Sequence, residues 1–347
     1  MRKEKLKIRG IPSREIKFWT NLVRIGTKTE NWHKLNILSK WFVLVRGVSL
    51  TITLIAVIIG GMLSLLIHKF NTLLFLITAL GLVIAHSTSN LINDWWDFKN
   101  KIDTPEYFRN KYNLHPLSVI NEKKLLTLIF FSGLLALLTA LYLTSVRGIT
   151  VLVLSFVGFL IMFFYSGQPI KLKYLGLGEP LVLITWGPLM ICGVFYVITG
   201  YFYPWVLLAS IPYGLGAMLI LLGKHTDKIE EDKLKGVSTL PVIIGERNSI
   251  RLAVITIILM HIFALALVIT ERFTVGPLFT LLALPRNLRA IRYVLSNKKP
   301  STPENLPEEY PKDLWPIWYV GGAFLINRQF GTYYILGIIA EIAIASL

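Results

Sequence analysis

Long runs of apolar residues recur along this chain, at 48–67, 73–92, 125–144, 149–165, 181–200, 205–222 and 252–269. Each is close to the ~20 residues that a helix needs to cross the hydrocarbon of a bilayer. Backbone N–H and C=O groups find no water there, so a spanning run must satisfy its own hydrogen bonds as a helix. Two further segments continue the pattern less cleanly. Residues 275–284 are few and stop at Pro285 and Arg286, while 318–347 are interrupted by Asn327, Arg328 and Gln329. The expected fold class is an all-α membrane protein of about nine transmembrane helices. Residues 46–347 would form one transmembrane domain, preceded by a basic segment, 1–45. With 54% hydrophobic and 16% charged residues, the chain is too apolar for an ordinary soluble core.

A net charge of +16 invites a nucleic-acid reading, but the distribution of the charge argues against it. Nearly all Lys and Arg fall in 1–46, 94–124, 166–177, 224–251 and 286–314, which are alternate connections. The opposite connections hold only Lys69, Arg147 and Arg272. By the positive-inside rule the basic side is cytoplasmic, and the expected location is the cell (plasma) membrane. Ile16, Trp19, Leu22 and Val23, flanked by Arg14, Lys17, Arg24 and Lys28, fit a helix lying on an anionic leaflet. The first residues lack a signal-peptide pattern. A lone Cys192 inside an apolar run excludes a disulfide framework and a Cys-based zinc site.

The chemistry gathers on the basic side. At the end of the second run stand His86, Asn90, Asn93, Asp94 and Asp97, followed by Asp103. Steps of three and four place the first five on one helix face. Polar groups at membrane depth normally face a cavity inside the bundle. A solvated helix end would account for Asp97 and Asp103, but not for five aligned polar groups. A second cluster leaves the sixth run: Lys224, Asp227, Lys228, Glu230, Glu231, Asp232, Lys233 and Lys235. Alone it resembles many surface loops; on the same side as the first it becomes informative. Hard carboxylate oxygens suit magnesium, which is usually held by one or two carboxylates together with substrate phosphates. Two facing clusters can hold a diphosphate through such ions, with Lys and Arg neutralising the leaving group. The candidate metal ligands are Asp94, Asp97, Asp103, Asp227, Glu231 and Asp232. Candidate diphosphate contacts are Asn90, Asn93, Arg109, Lys173, Lys224 and Lys228, and candidate catalytic residues are Lys171, Tyr165 and Arg46. The histidines lack zinc-site spacing. Glu341, the lone acid deep in the last run, has no assigned role.

These motifs resemble the UbiA superfamily of intramembrane prenyltransferases. The first Asp-rich motif is similar to Asn90-x-x-Asn93-Asp94-x-x-Asp97 with Asp103. The second is similar to Asp227–Asp232 followed by Gly236, Thr239, Leu240 and Pro241. Tyr165, Pro169, Gly176–Glu179 and Gly187-Pro188 match further elements. The resemblance implies helices around a central cavity, two magnesium ions and a lateral opening for the isoprenoid tail. It also implies ionisation of an allylic polyprenyl diphosphate and attack by an electron-rich acceptor. Two positions depart from the family. Its second-motif aspartates are usually spaced by four, whereas Asp227 and Asp232 are spaced by five, a rotation of about 140° instead of about 40°. Either Glu231 takes the ligand role or the helix ends and re-aims Asp232, with Gly236 favouring Asp232. Lys224 stands where relatives often carry an amide.

The six-residue step from Asp97 to Asp103, and the stretch from Arg109 to Pro116-Leu117, look more like the branch that prenylates 1,4-dihydroxy-2-naphthoate for menaquinone. Arg46, Ser49 and Tyr165 would line the acceptor pocket, with Arg46 holding an acceptor carboxylate. Other readings are a prenyltransferase acting on hydroxybenzoate or a glyceryl phosphate, and a non-enzymatic transporter. Transport acids belong near mid-membrane, whereas these sit at one interface.

Overall fold

The computed structural model describes residues 32, 37–103, 115–270, 272–296, 299–300, 302–305 and 318–346. Among them no strand occurs. The main helices are α1 (Ile37–Leu44), α2 (Gly47–Leu65), α3 (Thr72–Lys99), α4 (Glu122–Arg147), α5 (Ile149–Phe164) and α6 (Gly178–Thr199). They continue with α7 (Pro204–Asp227), α8 (Ile229–Leu234), α9 (Leu240–Ile244), α10 (Glu246–Ala266), α11 (Leu284–Ser296) and α12 (Tyr319–Ala345). Both the expected interfacial helix around Ile16–Val23 and Arg109 lie outside the described residues.

Among the described residues, helices long and apolar enough to cross a membrane number six: α2, α3, α4, α6, α7 and α10 with its extension to Thr270. The expectation of nine spans is not reached by that measure, for identifiable reasons. α5 has 16 residues. The eighth run forms a tight 3-10 stretch, Gly276–Ala283, that passes into α11, whose Arg286, Arg289 and Arg292 make it amphipathic. α12 has 27 residues, but Asn327, Arg328, Gln329 and Glu341 dilute its apolar character. The protein is an all-helical integral membrane protein.

α7 is the core of the bundle, buried along most of its length. Its small residues explain why. A Cβ added at Gly187 of α6 would lie 2.9 Å from the Ser210 carbonyl oxygen and 3.1 Å from Gly214 Cα. Only glycine lets the two backbones approach this closely, as small residues commonly do between membrane helices. At the same place α6 widens into a π-turn over Thr185–Cys192 around Pro188, the kind of irregularity that recurs at functional sites. The Tyr213 hydroxyl donates to the Ile52 carbonyl (2.9 Å) and the Tyr334 hydroxyl to that of Ala209 (2.8 Å), tying α7 to α2 and α12. Glu341 also finds its role here. Its buried carboxylate accepts from the N–H groups of Thr274 (2.7 Å) and Gly276 (2.5 Å), closing the start of the 3-10 stretch.

The opposite side of the bundle is different. α4 buries only Leu125 and Leu143, and α5 only Val151, leaving Phe131, Leu138, Ile149 and Val153 more than half exposed. Such an apolar surface is a lipid-facing wall.

Candidate active site

Where α3 reaches the end of the bundle, its polar face meets three other elements. Arg46 sits in the left-handed turn between α1 and α2, at φ 54°, which aims its guanidinium at the Asp94 carboxylate, and the two form an ion pair. Asn90 donates to the Val45 carbonyl (2.8 Å) and to Ser49 Oγ (3.0 Å), holding that turn against α3. One helical turn further, Lys173 Nζ donates to both oxygens of Asp97, at 2.7 and 2.8 Å. Asn93 donates to Asp97 Oδ2 (3.2 Å) and accepts from Ser166 Oγ (2.6 Å). The loop that follows α5 therefore docks on the first motif through Ser166 and Lys173. The Tyr174 hydroxyl lies 3.5 Å from Asp97 Oδ1. Burial, helped by the Asp97 charge, holds this phenol well above its ordinary value, so it stays a donor.

The second cluster divides into two. Asp103 and Asp232 are both buried, and Lys228 Nζ lies between them, 3.7 Å from Asp103 Oδ1 and 3.9 Å from Asp232 Oδ1. Asp227 is turned elsewhere. Its carboxylate accepts the N–H groups of Trp318, Tyr319 and Val320, each at 3.0 Å, at the N-terminus of α12, and Lys299 Nζ lies 3.4 Å away. The reason is the helix end. α7 stops at Asp227, Lys228 adopts φ −113°, and the short α8 starts a new direction at Ile229. The five-residue spacing is thus not read along one straight helix. Asp232 is buried on the inner side of α8 with Thr239 Oγ1 3.5 Å from its carboxylate, and Glu231 is half-buried beside it. Lys235 of the following turn reaches the Ile102 carbonyl, and burial lowers its pKa.

Other expected residues take definite places. Tyr165 and Lys224 line the central cavity together with Arg46, Asn90 and Asn93. Lys171 is not brought to the carboxylates; its Nζ lies 5.4 Å from the Tyr174 ring centroid, and its neighbour Lys173 makes the contact instead. Lys171 caps the tight 3-10 turn Leu172–Leu175 in a left-handed conformation, whereas Lys173 lies inside that turn, so the two side chains leave in different directions. Arg286, Arg289 and Trp186 also line the cavity, and sequence reasoning had not assigned them. Trp186 was signalled only by the Gly187-Pro188 that follows it, and Arg286 only as the end of an apolar run. Trp186 Nε1 donates to Thr53 Oγ1 (3.0 Å), which also bonds His86 Nδ1 (2.7 Å).

The cavity has a volume of about 1210 Å³. Its polar end is lined by Arg46, Asn90, Asn93, Tyr165 and Lys224, with Arg46 paired to Asp94 behind it. The rest is apolar, walled by residues such as Leu82, Leu137, Phe156, Phe163 and Leu189 from α3, α4, α5 and α6. A chamber of this kind accepts a long hydrocarbon with an anionic head.

Magnesium was the expected cofactor. At the first motif the donor chemistry fits it: Asp94, Asp97 and Asp103 offer hard oxygens, and buried Asp103 Oδ1 has no hydrogen-bond partner. At the second motif it does not, because Asp227 is taken up by the N-terminus of α12 and Asp232 is paired with Lys228. Among the described residues no three His, Cys, Asp or Glu side chains converge as a ready-made metal site.

Comparison with known proteins identifies the family. A model of the UbiA prenyltransferase family matches residues 39–306. The 1,4-dihydroxy-2-naphthoate octaprenyltransferase of Bacillus subtilis is 26% identical over 262 residues, 74% of this chain and 82% of the relative. The 2-carboxy-1,4-naphthoquinone phytyltransferase of Synechocystis is 25% identical over 257 residues, 73% of this chain and 82% of the relative. Among solved structures, a UbiA homologue from Archaeoglobus fulgidus bound to GPP and Mg2+ superposes with a TM-score of 0.57 at 17% identity, covering 88% of this chain and 99% of its own. A homologue from Aeropyrum pernix gives 0.59 at 16% identity, covering 86% and 98%. With the family matched over residues 39–306, and with Arg46 and Lys224 lining the polar end of an apolar chamber, the chain belongs to the UbiA prenyltransferase family and is a membrane-embedded prenyltransferase.

Proposed function

We propose that this enzyme transfers a polyprenyl group from an allylic diphosphate to 1,4-dihydroxy-2-naphthoate, in a magnesium-dependent step of quinone synthesis. The observation that carries the reading is one cavity of about 1210 Å³ with two chemistries: Arg46 and Lys224 line its polar end, beside the buried carboxylates that Arg46, Lys173 and Lys228 pair with, and the rest of its wall is apolar. Naphthoate-prenylating relatives support the acceptor. The basic connections support placing the charged end at the cytoplasmic face of the plasma membrane.

Asp94, Asp97 and Asp103 would hold magnesium, which when bound supplies charge neutralisation for a departing diphosphate. The chain's own groups do the rest. Lys173 and Arg46 fix the carboxylates, and Lys224 and Lys228 face the anionic head. The donor's C–O bond breaks with its electron pair going to diphosphate, leaving an allylic carbocation. The ring faces of Trp186, Phe163 and Tyr165 can stabilise that cation, and the apolar walls exclude the water that would quench it. The electron-rich naphthoate ring then forms the new C–C bond and gives up a proton. Arg46 and Arg289 are cations at the cavity that suit the acceptor carboxylate.

The test is a side-by-side assay of purified protein with labelled polyprenyl diphosphates. Product is expected with 1,4-dihydroxy-2-naphthoate above 4-hydroxybenzoate, abolished by chelator and restored by magnesium. Preference for hydroxybenzoate, or reaction only with a glyceryl phosphate, overturns the acceptor; full turnover in excess chelator overturns the metal dependence.

A further inference from the structure

Lys224, Lys228, Asp232 and Gly236 follow one another at steps of four. When the motif is anchored on Asp232 and Gly236, Lys228 falls where the family usually has its other second-motif aspartate, and Lys224 falls at the amide. The geometry agrees with that register. Lys228 is 8% exposed, and its ammonium bridges Asp103 of the first motif and Asp232 of the second. Asp227, the aspartate that the sequence offers instead, has its carboxylate on the N-terminus of α12. Lys224 lies one helical turn before Lys228 and lines the cavity.

Charge balance points the same way. Asp94 is paired with Arg46, Asp97 with Lys173, and Asp103 and Asp232 with Lys228. Four buried carboxylates left unpaired would each be costly at the low effective dielectric of a buried site, and here each is already offset by a basic side chain. A lysine ammonium is a compact, strongly hydrated point charge with three donors. It can bridge a carboxylate to a diphosphate oxygen as a cation would, without needing octahedral ligands.

We propose that Lys228, assisted by Lys224, is a built-in replacement for the metal ion at the second motif, so that the enzyme holds its diphosphate donor with a single divalent cation at the first motif. The inference rests on the donor being an allylic diphosphate, as proposed above. It makes Lys228 a residue that decides metal stoichiometry as well as one that contacts substrate.

The experiment counts metal and measures binding without turnover. Purified protein in nanodiscs is titrated with Mn2+ in the presence of a non-ionising thiolodiphosphate analogue of the donor, and bound Mn2+ is counted by electron paramagnetic resonance. Analogue binding is measured by calorimetry with Mg2+ and with excess chelator. Wild type is expected to take up one Mn2+ per chain and to retain measurable analogue binding in chelator. Lys228→Met, which keeps the apolar stem, should weaken binding in chelator by about tenfold to a hundredfold, the effect of losing one charge-assisted hydrogen bond. Lys228→Arg should restore part of it, and Lys228→Asp should bind a second Mn2+. Two Mn2+ per wild-type chain overturns the proposal without any variant, and so does undiminished chelator-resistant binding by a folded Lys228→Met. If wild type binds no analogue even with Mg2+, the donor assignment fails along with it, and that result is distinct from binding with two metal ions.

Discussion

Replacing Asp227 separates a structural carboxylate from a metal ligand. Its Oδ2 accepts from Trp318 and Val320, and its Oδ1 accepts from Tyr319 and faces Lys299. Bonds to a charged acceptor contribute ~1.5–3 kcal/mol each, and a buried donor left without a partner costs ~1–3 kcal/mol. Asp227→Asn keeps one carbonyl oxygen and so can retain one pair of bonds, losing the other contact and the ionic pairing; about 1–3 kcal/mol of stability should go. Asp227→Ala strands all three N–H groups, and about 3–5 kcal/mol is expected, because the losses share one helix end and do not add in full. The assay pairs unfolding in lipid nanodiscs with Mn2+ and donor-analogue affinity. Asp227→Asn should be destabilised yet, while folded, bind both ligands within about twofold of wild type. Asp232→Asn removes the carboxylate beside Lys228 and should instead weaken donor-analogue binding while leaving Mn2+ affinity near that of wild type. An Asp227→Asn protein that unfolds like wild type but loses more than about tenfold in Mn2+ affinity would refute the reasoning, since a loss of that size without a loss of stability is what removal of a metal ligand gives.

Two further outcomes follow from the packing and the charge distribution. Gly187→Ala places a Cβ 2.9 Å from the Ser210 carbonyl oxygen and 3.1 Å from Gly214 Cα, so overpacking of α6 on α7 should cost about 1–3 kcal/mol in unfolding experiments; an unchanged unfolding profile would contradict the close approach. In a Cys192→Ser background, a cysteine at exposed Lys233 should react with an impermeant thiol reagent from the cytoplasmic side, and one at exposed Ser145 only from the other; labelling of both from one face would break the topology.

The membrane class and the polar face of α3 were legible in the amino-acid sequence because both depend on local repeats. A run of about twenty apolar residues has one stable form in lipid, and steps of three and four place His86, Asn90, Asn93, Asp94 and Asp97 on one side of any helix. Spacing also marked the second cluster as irregular. What it could not decide was the direction of each carboxylate. Asp227 and Asp232 look equivalent as letters, and only the end of α7, the turn at Lys228 and the arrival of α12 from far along the chain assign one to a helix terminus and leave the other near Asp103. Lys171 and Lys173 are likewise indistinguishable until the 3-10 turn aims one at Asp97. Glu341 needed a partner, Gly276, sixty-five positions away. Local periodicity carries the identity of a helix and of its polar face. Which charges meet depends on long-range contacts, and no local pattern specifies them.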